Sequence, residues 1–83
     1  MKVNVTLRYL RRTLVEIKTE EEVPEGYTAG ELSSSVIKAH EAKEKIEFAG
    51  ASIVTLVNGR LVTADEPLHE GDDIKIMPVA AAG

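Results

Sequence analysis

Three observations predict an α+β fold in which a mixed sheet is packed by one main helix. Residues 2–9 alternate strictly between polar and apolar, a capped amphipathic segment occupies the middle, and short extended segments punctuated by Asn58-Gly59 and Gly71 close the chain. The alternation puts Val3, Val5, Leu7 and Tyr9 on one face and Lys2, Asn4, Thr6 and Arg8 on the other, as in a half-buried strand. Thr13 to Glu22 carries Val15 and Ile17 among charged residues, and the few residues around Leu10-Arg11-Arg12 join it to the first strand as a hairpin. Pro24 and Gly26 then break regular structure. Thr28 and Glu31 spell a capping box, each serving a backbone donor at a helix start, so a helix begins near Ala29. Leu32, Val36, Ile37 and His40 form its buried stripe, with Ser33, Ser34, Ser35 and Lys38 on the wet side.

Residues 42–50 are expected to connect, with Ile46 and Phe48 tucked under the sheet. Ser52 to Val57 is the most apolar run and is rich in β-branched residues, which predicts a central strand with both faces covered. Asn58-Gly59 favours the positive φ angles of a type I′ turn, so Arg60 to Val62 folds back as a short strand. A glycine turn at Gly71 precedes the last strand, in which Ile74 and Ile76 face inward and Lys75 and Met77 outward. Pro78 lacks a backbone donor and is expected to end the sheet, releasing a flexible tail from about that residue. Two hairpins flanking a helix that lies diagonally across the sheet make a β-grasp arrangement. It unites residues 1–83 in one domain and leaves the far sheet face to a partner.

Composition narrows the function. A chain of 83 residues buries roughly 60–65% of the surface its unfolded form exposes. It contains no cysteine, hence no disulfide, no cysteine zinc site and no thiol nucleophile of its own. A net charge of −4 argues against a nucleic-acid binder. No apolar run approaches the roughly 20 residues of a membrane span, and no signal-peptide core opens the chain, so a cytoplasmic protein is expected. There is no nucleophile-base pair, phosphate loop or metal constellation, so the chain is not read as an enzyme by itself. His40 and His69 are isolated, and Glu70, Asp72 and Asp73 lack EF-hand spacing. No metal is expected, and these acids are read as bracing a turn.

Val57-Asn58-Gly59, then Leu68-x-Glu70-Gly71-Asp72-x-Ile74, an apolar strand end, Pro78 and a small-residue tail closing on Gly83 together resemble the ubiquitin-like sulfur carriers. That family includes the small subunit of molybdopterin synthase and the thiamine-pathway carrier. The similarity covers essentially the whole chain, and the length of residues 42–50 is more like the molybdopterin branch. The resemblance implies a carrier, not an enzyme, whose Gly83 carboxylate is adenylated by an ATP-dependent activating enzyme using magnesium and then converted to a thiocarboxylate. Pro78, Val79, Ala80, Ala81 and Ala82 would thread into partner clefts, delivering sulfur to a synthase large subunit or another acceptor enzyme. No permanently bound cofactor, nucleic acid or membrane is implied.

This chain departs from the family at Ala82, where the first of two terminal glycines is usual; its Cβ removes positive-φ conformations and widens the tail where a channel is tightest. Leu7 to Arg12 is also more basic than the family's first strand. Leu61 and Met77 match positions where molybdopterin-type carriers place apolar residues against the synthase. From periodicity, Leu61 fits docking or core equally, while docking is favoured for Met77 because inward isoleucines flank it. Arg8, Arg11 and Arg12 fit a solvated hairpin tip. A ubiquitin-like interaction module that has lost the acyl chemistry, a thiamine-branch sulfur carrier and, less well, a TGS-type module are the alternative readings.

Overall fold

Five strands and one helix form in the order β1 (Lys2–Arg11), β2 (Thr13–Glu22), α1 (Ala29–Glu44), β3 (Ser52–Val57), β4 (Arg60–Leu61) and β5 (Asp73–Val79). This is a computed structural model, and it describes residues 1–48 and 50–79. The sheet order is β2-β1-β5-β3-β4, with β1 and β5 parallel and the other neighbours antiparallel. The helix lies on one face of this mixed sheet, which is the β-grasp arrangement.

The alternation in β1 has the expected result. Val3, Val5, Leu7 and Tyr9 are buried beneath the helix with Leu32, Ile37, Val57, Ile74 and Ile76. Ile74 and Ile76 are 0% exposed, each contributing about 1.5–3 kcal/mol by leaving water. The helix starts as its capping box requires: Glu31 N–H donates to Thr28 Oγ1 at 3.3 Å, and Thr28 N–H to Glu31 Oε1 at 3.2 Å. Its first two N–H groups are taken by a loop, Ala29 donating to Glu66 O (2.9 Å) and Gly30 to Ala64 O (2.8 Å). The approach is so close that a Cβ on Gly30 would lie 2.7 Å from Ala64 Cβ and 2.8 Å from its carbonyl oxygen.

Four features differ from the sequence reading. The helix continues through Glu44 and stops where Lys45 turns left-handed (φ 55°), its N–H donating to Glu41 O, so the connector begins later than residue 42. Ile46 and Phe48 do pack against the core, half-buried, with Phe48 edge-on to Tyr9 at 4.9 Å. Ser33 is buried, not wet, because its hydroxyl finds Thr55 Oγ1 at 2.9 Å across the core. The central strand is β5, not β3: β4 has only two residues, so the first half of β3 flanks β5 alone and Ile53 is left exposed.

The fourth concerns Pro78, which does not end the sheet. It stands opposite Ile53 within β5, and Val79 stands opposite Ser52. Asn58 N–H donates to Asp73 O, so alternation along this antiparallel pair makes 75, 77 and 79 the residues bonded to β3. The donorless nitrogen of Pro78 therefore points away from β3, toward the side where pairing with β1 has ended at Ile76.

Candidate functional site

The sheet face opposite the helix and the end of β5 make up the candidate site. Its foundation is the turn that starts β5. Asn58 (φ 51°) and Gly59 (φ 82°) adopt the left-handed conformations of the expected hairpin turn. The buried Asp72 carboxylate accepts from Asn58 Nδ2 (2.9 Å) and from His69 N–H (2.8 Å), and Asp73 N–H donates to Asn58 Oδ1 (2.9 Å). Glu70 accepts from Lys2 N–H at 3.0 Å, so the acids here brace the turn and tie it to β1. The strand that leads to the chain end is thus fixed at its start and held on both sides.

Ile74, Ile76 and Pro78 face the helix, so Lys75, Met77 and Val79 face the open side. Cross-strand pairing assigns the rest of that face. Met77 stands opposite Val54, Lys75 opposite Leu56, and Leu56 opposite Leu61. Leu61 is 72% exposed, which makes it a surface residue and not core, while Met77, Val54 and Leu56 are half-buried. The two residues expected to dock, Leu61 and Met77, thus share one face with Val54 and Leu56. Val79, 43% exposed, extends the apolar surface to the end of β5.

A second apolar pair, Leu10 against Leu14, crowns the β1–β2 hairpin on this same face. Arg11 and Arg12 beside it are exposed, whereas Arg8 pairs with Glu16 at 3.8 Å. Between these patches, Thr6, Glu16, Lys18, Leu56, Asp73 and Lys75 line a shallow hollow of about 250 Å³. In the loop that receives the helix, Asp65 is held below the ordinary carboxylate pKa, first by a hydrogen bond from the Thr63 hydroxyl and then by a backbone hydrogen bond.

The periodicity of β5 places Met77 on the open face, and the structure has it there. The places of Val54 and Leu56 on that face are not legible in the sequence because an uninterrupted apolar run gives no alternation to read, nor are those of Leu10 and Leu14, because hairpin tips are usually polar. Of the expected tail, Pro78 and Val79 belong to β5. Ala80, Ala81, Ala82 and Gly83 lie outside the described residues. Among the described residues, no three His, Cys, Asp or Glu side chains gather as a cation site would require, and no helix is long and apolar enough to cross a membrane.

The sequence profile of the ThiS family matches residues 2–83. The chain belongs to the ThiS family. It therefore has the ubiquitin-like fold of the sulfur carriers. Among solved structures, a Pyrococcus furiosus protein provisionally assigned as molybdopterin converting factor, subunit 1, is 29% identical; the match covers 93% of this chain and 98% of that one, with a TM-score of 0.58. Small archaeal modifier protein 1 of Haloferax volcanii (17% identity, 93% and 98% covered, TM-score 0.60) is similar in fold. So is the ubiquitin of Caldiarchaeum subterraneum (15% identity, both chains fully covered, TM-score 0.55). No curated protein matches.

Proposed function

We propose that this ThiS-family protein is a sulfur carrier whose reactive group is the Gly83 carboxylate, most like the small subunit of molybdopterin synthase. The observation that supports the reading is the placement of β5: it is the central strand, gripped by β1 and β3, in a chain whose residues 2–83 match the ThiS family, and in the sequence it is followed by the small residues 80–83. A carboxylate is a poor acyl donor. An activating enzyme would let the Gly83 oxygen attack the α-phosphorus of ATP with loss of pyrophosphate, magnesium and cationic groups offsetting the phosphate charge. Sulfide, free or released from a persulfide by a thiol reductant, would then attack the acyl carbon as AMP departs, leaving a thiocarboxylate. The charged terminus would be delivered to a synthase large subunit, or to an acceptor of the thiamine branch, in a pocket that keeps water away.

In this division of labour the chain performs no catalysis. Residues 80–82 provide a narrow lead to Gly83, and Leu61 and Met77, with Val54 and Leu56 beside them, supply apolar contact to the partner. Incubation with ATP, magnesium, a sulfur donor and the activating enzyme of the same genome should give a protein whose intact mass shows oxygen exchanged for sulfur, and deletion of Gly83 should abolish the change. If neither adenylate nor thiocarboxylate forms on the full chain, the carrier reading fails.

One observation favours a second reading. The open face already carries apolar patches, and with Ala82 in place of a glycine of the family's terminus this suits an interaction module that keeps the fold without the chemistry. Under that reading, removing residues 80–83 leaves partner binding unchanged.

A further inference from the structure

The two edges of the sheet are unlike. One is β4, with two residues; the other is β2, with ten, paired to β1 in continuous register without proline, glycine or bulge. The backbone of this edge is regular enough to pair, and it is guarded by charge alone, through Glu16, Lys18, Glu20, Glu21 and Glu22, so any added strand must match those charges. The phase of its hydrogen bonds is fixed at the base of the hairpin, where Val23 N–H donates to Met1 O (2.8 Å) and the Met1 amino group to Val23 O (2.7 Å). Counting from that pair, residues 15, 17, 19 and 21 bond to β1. Leu14, Glu16, Lys18, Glu20 and Glu22 then turn their N–H and C=O groups outward, and none of these groups has a partner among the described residues.

We propose that β2 is a two-fold interface at which a second copy of this chain adds its own β2 antiparallel to the first, Ile17 facing Ile17 across the axis. Charge selects this register. With Ile17 on the axis, Glu16 lies opposite the partner's Lys18, and symmetry repeats the pair. Leu14 lies opposite the partner's Glu20, and Val15 opposite the partner's Thr19, so no like charges face one another. Moving the axis to Lys18 sets lysine against lysine and Glu16 against glutamate at position 20. Moving it to Glu16 sets glutamate against glutamate. The one well-matched register also gathers the β-branched residues Val15, Ile17 and Thr19 on the helix side of the sheet.

The surroundings leave room for this pairing. Ile17 lines a groove of about 190 Å³ between β2 and α1, together with Val36, Ala39, His40 and Lys43, and across the axis the two grooves would adjoin. Among the described residues Glu16 is held by the half-buried Arg8 at 3.8 Å and the exposed Lys18 at 3.9 Å, which it can share with or exchange for the partner's lysine. The result is a ten-stranded sheet. Because β1 separates β2 from β5, both β5 ends remain clear of the joint, although Leu14, Glu16 and Lys18 at the joint belong to the open face.

Sedimentation equilibrium of the full chain from micromolar to millimolar concentration tests the proposal without any other protein. A monomer–dimer equilibrium is expected. Glu16→Lys and Lys18→Glu, each of which creates two like-charge pairs, should weaken association by about tenfold or more. The double swap, Glu16→Lys with Lys18→Glu, should restore it. Lys18→Pro removes an outward N–H that β1 does not use and should abolish the dimer, with circular dichroism of all variants confirming the fold. A wild-type chain that stays monomeric throughout, single swaps that associate as wild type does, or a double swap as weak as the singles would overturn the interface.

Discussion

A single carboxylate, that of Asp72, ties together the turn from which β5 starts. It is buried, and it satisfies donors from two separate segments, the Asn58 side chain and the His69 backbone. Truncating it to alanine would leave both donors without their acceptor inside the turn, which costs about 1–3 kcal/mol. Asp72→Ala should therefore lower stability by that amount in urea denaturation, whereas alanine at the exposed Asp73 should change it little. The sequence identified Asp72 as a turn residue through its place between Gly71 and the last strand. It could not show that Asn58, distant in sequence, would be the partner. Ser33 makes the same point more sharply: a serine on a helix reads as solvated until a second hydroxyl, Thr55, is found facing it.

At the scale of elements, local chemistry wrote the beginnings more clearly than the ends. The capping box, the Asn58-Gly59 turn and the strand alternation were each readable because a few neighbouring residues determine them. The end of α1 was not, because its left-handed stop falls on a lysine instead of glycine. The rank of β3 in the sheet depends on which strands pair with it, and a continuous apolar run carries no such information. Pro78 misled for a related reason: a missing donor ends a ladder only if the ladder needs it, and here it points where no strand is paired. The junction between helix and loop gives a further prediction. Gly30→Ala ordinarily improves a helix by up to about 1 kcal/mol, but here the added methyl meets the Ala64 backbone and Cβ, neither of which can swing aside. Overpacking of this kind costs about 1–3 kcal/mol, so a lowered melting temperature is expected in calorimetry.

For the whole molecule, the fold divides labour between its two faces: one is spent on the helix and the other is free to meet partners. Leu61 is the clearest probe of the free face, since so exposed a residue can be changed without disturbing the core. Leu61→Glu should leave thermal stability within about 0.5 kcal/mol of wild type, and should weaken calorimetrically measured binding to the activating enzyme or the synthase large subunit by about tenfold. The extent of β5 has a consequence of its own. With Val79 still seated beside Ser52, the backbone is held by β3 one residue beyond the proline. A partner approaching this end of the sheet therefore meets a fixed apolar rim at Val79, and not an arm that comes loose at Pro78.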